Sequence, residues 1–118
     1  MIKVITIDDE PLALQQVSAY VQKIPFMDLI ASCRSAAEAQ RVLETEVIDV
    51  IFTDINMPDL SGLDFIRSLS IQPMVVFTTA YSEYAVEGIK ADAIDYLLKP
   101  FSFTDFQRSA QKVKKQYY

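Results

Sequence analysis

The stretch Val50-Ile51-Phe52-Thr53-Asp54-Ile55-Asn56-Met57-Pro58 decides the fold. A nearly continuous run of apolar, strand-favouring residues stops at one carboxylate, and a loop with a proline follows. An apolar run this short, without polar alternation, suits a strand buried on both faces of a parallel sheet. Asp54 then falls at the carboxyl end of that strand. We predict the strand over 47–53 and find four companions of the same kind, at Ile2–Ile7, 29–33, Met74–Thr79 and 94–98. The 29–33 run is the weakest, being short and partly polar.

Helical patterns lie between the runs, at 11–24, 35–44, 63–69, 83–90 and 103–115. In the first, Leu12, Val17, Tyr20, Val21 and Ile24 recur near one stripe, and Pro11 suits a first helical turn. Ser35 with Glu38 three residues later has the form of a capping box. Ser102 or Thr104 would cap the last helix. Repeated strand–helix alternation implies parallel pairing through crossovers. Five such units in 118 residues predict an α/β, flavodoxin-like (βα)5 doubly wound sheet of strand order 2-1-3-4-5, forming one domain over 1–118.

Composition narrows the chemistry. Hydrophobic residues make up 51% and charged residues 23%, a globular balance. A net charge of −5 argues against binding nucleic acid directly, since phosphate neutralisation needs clustered cations. The basic run Lys112, Lys114, Lys115 reads as the solvated end of a helix. One cysteine cannot form an internal disulfide, and Cys33 reads as a buried structural thiol. There is no signal-peptide pattern, and no apolar run approaches the roughly 20 residues of a membrane span. We therefore expect a cytoplasmic protein. Histidine is absent, which removes imidazole catalysis and the commonest zinc ligand.

In a doubly wound sheet, ligands bind beyond the carboxyl ends of the strands. Those ends carry Asp8-Asp9-Glu10, Asp54, Thr78-Thr79 and Lys99-Pro100. Two unit charges about 4 Å apart cost on the order of 4 kcal/mol at an effective dielectric near 20, so clustered carboxylates call for a cation. An oxygen-only ligand set favours a hard divalent ion, Mg²⁺ first, with Mn²⁺ as a substitute. A carboxylate beside Mg²⁺, opposite an ammonium and a hydroxyl, suits in-line phosphoryl transfer to Asp54. Each piece also has a plain structural reading. Asp8-Asp9 could cap a helix, Asp54 could start a turn before Pro58, and Thr79 and Lys99 could be ordinary strand-end residues. It is their joint occurrence at four strand ends that points to a site.

The motifs Ile7-Asp8-Asp9-Glu10-Pro11, Phe52-Thr53-Asp54-Ile55-Asn56-Met57-Pro58 with Ser61-Gly62-Leu63, Thr78-Thr79-Ala80, and Asp95-Tyr96-Leu97-Leu98-Lys99-Pro100-Phe101 closely resemble the receiver domain of bacterial two-component response regulators. The resemblance runs the length of the chain. The segments Thr79–Val86 and Asp92–Phe101 resemble the LytR/AlgR (LytTR) type. It implies Asp54 as the phosphorylation site, Asp9 as a direct Mg²⁺ ligand, and Asp8 as a neighbour acting through water. Asn56 would give its backbone carbonyl to the metal. Thr79 and Lys99 would hold the phosphoryl group, and Tyr96 would be the aromatic switch. Pro58, Gly62 and Pro100 are the site's structural residues, Gly62 for turn geometry and Pro100 after a cis bond that aims Lys99. Asn56 and Tyr81 would tune the lifetime of the phosphoryl group.

The same resemblance implies a self-catalysed phosphoryl acceptor, not an enzyme with turnover. The donor would be a sensor histidine kinase or phosphotransfer protein docking near the first helix and the loop after the fifth strand. Phosphorylation would reshape the surface of the 83–90 helix, the fifth strand and the 103–115 helix, where Tyr84, Val86, Ile89, Phe103 and Phe106 are candidates, and would favour a homodimer. The output would be transcription, with DNA bound only through a separate domain absent from these 118 residues. We expect an excised domain and no membrane partner. Two alternatives are a degenerate receiver acting purely as a binding module and an aspartate-nucleophile phosphatase. Adjacent aspartates on the first strand, in place of Asp-x-Asp, count against the phosphatase.

Overall fold

The computed structural model describes residues 1–80 and 93–118. The predicted 83–90 helix, Tyr81, Tyr84, Val86 and Ile89 lie outside the described residues. The elements are β1 (Ile2–Ile7), α1 (Pro11–Gln22), β2 (Met27–Cys33), α2 (Ala36–Thr45), β3 (Val50–Asp54), α3 (Gly62–Ser68), β4 (Met74–Thr79), β5 (Asp95–Leu98) and α4 (Phe103–Tyr117). The strands form one parallel sheet ordered β2-β1-β3-β4-β5, the order expected of the doubly wound fold.

Alternation along each strand sorts the core into two layers, because successive side chains point to opposite faces. Ile2 and Val4 of β1, Val50 and Phe52 of β3 and Val76 of β4 pack with Val17 and Val21 of α1 and Phe106, Ala110 and Val113 of α4. Phe52 and Phe106 meet with ring centroids 5.0 Å apart. The opposite layer holds Ile5, Ile7, Ile51, Val75 and Phe77 against Ala36 and Ala39 of α2 and Phe65 and Ile66 of α3. Each fully buried side chain of this size contributes about 1.5–3 kcal/mol. Followed upward, the first face runs Ile2, Val4 and Thr6 on β1, with Asp8 just past its end, and Val50, Phe52 and Asp54 on β3. The two aspartates are the polar ends of core stripes.

Several boundaries differ from the sequence expectation for local reasons. Strand β3 starts at Val50, not 47. The Asp49 carboxylate accepts from Lys3 N–H at 2.8 Å, so a side chain replaces a backbone carbonyl where the ladder would begin. Helix α1 stops at Gln22, ahead of Pro25, whose predecessor is disfavoured in α geometry. Its inward face is Leu14, Val17, Ser18 and Val21; Leu12, placed in that stripe by sequence, is 74% exposed. Strand β2 gains Met27 and Asp28 through pairing with β1. Ser102 and Asp105 form the full capping box of α4. At α2, Ser35 accepts from Glu38 N–H, but the Glu38 carboxylate turns to Arg34 N–H at 2.8 Å. Phe106 is core, fully buried, and Phe103 is partly buried against it.

Candidate phosphoryl and metal site

The β1–β3 register pairs Ile7 with Thr53, which brings Asp8 and Asp54, one step on, side by side on the same face. Asp8 and Asp54 are both buried, while Asp9 is exposed. One carboxylate oxygen from each of Asp8, Asp9 and Asp54 can be chosen so that all three lie within 4.8 Å of one another. The plain reading of Asp8-Asp9 as a helix cap fails. The N-cap of α1 is Glu10, without a side-chain bond, and Asp8 Oδ1 accepts from Glu10 N–H at 3.0 Å.

Lys99 enters from the end of β5. Its N–H donates to the Thr79 carbonyl at 2.7 Å, tying it to the end of β4, and the Lys99–Pro100 bond is cis, as expected. The ammonium donates to Asp8 Oδ2 at 2.8 Å and to Asp54 Oδ2 at 3.3 Å. One ammonium among three carboxylates leaves the site short of positive charge. Burial pushes the Asp54 carboxyl above its ordinary range; Lys99 pulls it down, the Asp8 charge adds to the rise, and the rise wins. Lys99 itself is held above its ordinary value, because its bonds to Asp8 and Asp54 outweigh the cost of burial.

Thr79 is fully buried at the end of β4, one residue past Thr78, which pairs with Asp54. Tyr96 lies opposite Phe77 and is partly buried against the α2/α3 layer of the core. Asn56 is exposed in the loop after β3, its N–H reaching Asp54 Oδ1 at 3.4 Å, and Pro58 is exposed in the same loop. Gly62 corrects the expectation for its role. It has no positive φ, so turn geometry does not require it. Space does: a Cβ there would lie 2.2 Å from the Asp54 carbonyl oxygen.

Sequence reasoning missed two contacts. Thr53 Oγ1 donates to the Asp54 carbonyl at 3.0 Å, steadying the peptide that carries the acceptor. Asp59 reaches the first turn of α2, accepting from Ala36 N–H at 3.4 Å and Ala37 N–H at 3.2 Å. An Asp after Pro58 signals only a turn, and nothing local points 22 residues back along the chain. Beside Lys99 a cleft of about 480 Å³ opens between α1 and the start of the β5–α4 loop, lined by Glu10, Leu12, Gln16 and Phe101 among others. No helix among the described residues is long and apolar enough to cross a membrane.

Comparison with known proteins agrees with this fold. The response regulator receiver domain family matches residues 4–111. The transcriptional regulatory protein BtsR of Escherichia coli K12 is 34% identical over 118 residues, covering 98% of this chain and 49% of that protein. The sensory transduction protein LytR of Staphylococcus haemolyticus is 35% identical over 117 residues, covering 97% of this chain and 46% of its own length. The chain thus spans about half the length of these curated relatives. Among solved structures, the response regulatory domain of mrkE from Klebsiella pneumoniae superposes with a TM-score of 0.86 at 33% identity, covering 98% of each chain. TrrA from Thermotoga maritima, solved in complex with Mg²⁺-BeF, gives 0.81 at 25% identity over 96% of this chain and 99% of that one.

Proposed function

This chain belongs to the response regulator receiver family, with relatives of the LytR type, and on that premise we propose that Asp54 takes a phosphoryl group from a phosphohistidine supplied in trans. The observation that carries the reading is the Asp8–Asp9–Asp54 cluster with Lys99 bridging its two buried members. Oxygen-only donors within 4.8 Å of one another fit a hard divalent ion. Asp8, Asp9, Asp54 and the Asn56 backbone carbonyl would hold Mg²⁺, or Mn²⁺ in its place. When bound, the ion supplies the missing positive charge, lowering the Asp54 pKa and neutralising phosphoryl oxygens.

The chain's own groups do the rest. An Asp54 carboxylate oxygen forms the new O–P bond as the donor's P–N bond breaks, and the imidazole leaves with its electron pair and takes a proton. Lys99, already 3.3 Å from Asp54 Oδ2, would exchange that contact for a phosphoryl oxygen. Thr79 would turn its hydroxyl to the same group, and Tyr96 would move into the space released. The product carries about −2 charge where the carboxylate carried −1, and this added charge beside Asp8 biases a two-state surface. That surface would be the 83–90 segment, β5 and α4, favouring a homodimer. Tyr81 and Asn56 would set how quickly water removes the group.

The partner is a sensor histidine kinase or phosphotransfer protein. The cleft lined by Leu12, Gln16 and Phe101 beside Lys99 supports docking against α1. The domain spans 1–118, acts in the cytoplasm without a membrane partner, and reaches DNA only through a separate output domain, as BtsR's description as a transcriptional regulatory protein supports. The chemistry is self-catalysed transfer and autodephosphorylation. To test it, wild type and Asp54→Ala are incubated with Mg²⁺ and acetyl phosphate and weighed intact. Wild type is expected to gain one phosphoryl mass and Asp54→Ala none. An unmodified wild type, or an equal gain in the variant, overturns the reading.

A further inference from the structure

We infer that Asp59 is a positioning residue for the magnesium site, acting as a tether between the loop that carries Asn56 and the N-terminus of α2. The inference rests on the proposed role of Asn56 and on contacts far from the metal cluster itself.

The first turn of a helix leaves its N–H groups without intrahelical partners. In α2 these are met from two sources. Ser35 Oγ takes Glu38 N–H at 3.2 Å, and the two oxygens of Asp59 take Ala37 N–H at 3.2 Å and, more loosely, Ala36 N–H at 3.4 Å. Asp59 is therefore a cap supplied from outside the helix, by the loop between β3 and α3. A carboxylate at this end also meets the positive end of the helix dipole. Burial opposes the charge on Asp59, but the N–H groups of Ala37, Ala36, Asp59 itself and Leu60 together outweigh it and hold the carboxyl below its ordinary range, so it is ionised at neutral pH.

The other loop anchors show what this one adds. The stem is closed by Gly62 N–H to the Ile55 carbonyl at 2.7 Å and by Ile55 N–H to the Thr78 carbonyl at 3.2 Å. Met57 is partly buried against the core, with Thr53 Oγ1 a loose 3.9 Å from its sulfur. Asn56, Pro58 and Asp59 are exposed, and the N–H of Asn56 makes only a long contact. Asn56 thus sits on a span fixed at Ile55 on one side and, past the partly buried Met57, by Asp59 three residues on. Letting Asp59 go frees the outer half of the span, and the carbonyl offered to the metal loses its fixed direction.

The test measures Mg²⁺ binding by calorimetry on wild type, Asp59→Ala, Asp59→Asn and Ser35→Ala, with amide exchange at Ala36 and Ala37 as a second readout. Ser35→Ala removes a cap from the same helix end without touching the loop. We expect Asp59→Ala to bind Mg²⁺ about tenfold more weakly, as loss of outer support commonly does, with faster exchange at both alanines. Asp59→Asn keeps one acceptor oxygen and should fall between, which serves if the alanine variant does not fold. Ser35→Ala should lower Tm while binding Mg²⁺ like wild type. Wild-type affinity in both Asp59 variants overturns the inference, as does an equal loss in Ser35→Ala. A wild type that does not bind Mg²⁺ overturns both this inference and the proposed function beneath it.

Discussion

Gly62→Ala separates two accounts of this glycine by sign. Gly62 is the first residue of α3, and helix propensity alone predicts that alanine would stabilise by about 1 kcal/mol. The structure predicts the reverse. The new Cβ would sit 2.2 Å from the Asp54 carbonyl oxygen, 3.1 Å from its carbonyl carbon and 3.3 Å from Ile55 Cα. All three are backbone atoms and cannot rotate aside. Relief requires parting the helix start from the acceptor peptide by about 1 Å, and overpacking of this kind costs about 1–3 kcal/mol. For a domain of this size that is a fall in Tm of roughly 4–12 °C. The displaced peptide carries the proposed nucleophile, and its carbonyl also accepts from the Thr53 hydroxyl. A misplacement of about 1 Å can cost ~10²-fold in a positioned reaction. Circular dichroism would give Tm, and intact mass against time with Mg²⁺ and acetyl phosphate would give the rate of phosphorylation. A variant as stable as wild type, phosphorylated at the wild-type rate, would refute the steric argument.

Two further outcomes follow from the titrating groups. Asp54 has a folded-state pKa above its unfolded value, so the folded chain holds the proton more tightly and stability falls as pH rises through the folded pKa. Without divalent ions, Asp54→Asn should therefore be more stable than wild type at neutral pH, with the gap in Tm opening from about pH 4 upward. A gap that stays constant with pH, or a wild type that is the more stable, would contradict this. Cys33 is buried and its thiol is pushed up to about 11 by burial, with help from the Glu38 charge. A disulfide reagent at neutral pH should label it only at the rate of global unfolding, and rapid labelling of the native chain would contradict its burial.

The sheet could be read from sequence because its strands are buried on both faces, so Ile2–Ile7 and Met74–Thr79 stand out as unbroken apolar runs. Edges and ends were harder to read. The start of β2 is set by its partner, and the start of β3 is set by a bond between Asp49, just ahead of it, and Lys3 of β1. In α1, Leu12 satisfies helical spacing as well as Leu14 does, and only the packed sheet chooses between them. The carboxylates of the site were legible because chemistry fixes their residue types and strand ends fix their place. What supports them was not, since Thr53 and Asp59 act through backbone groups that no side-chain pattern marks. Gly62 was picked out for the wrong reason: a missing side chain reads alike whether the backbone needs freedom or a neighbour needs room.

The acid tips of β1 and β3 continue the same alternation as the inward-facing stripes below them, and this ties two kinds of failure together. Deleting one residue within β3 reverses the facing of everything on one side of the gap. Loss of Thr53 would leave Val50 and Phe52 against α4 and turn Asp54 to the opposite face, away from Asp8, whereas loss of Ile51 would break the packed stripe itself. In-frame loss of one codon in this strand should thus yield a chain that misfolds when it falls at Ile51. Intact but silent proteins, able to occupy a partner without answering it, should arise by loss of Thr53 as well as by substitution.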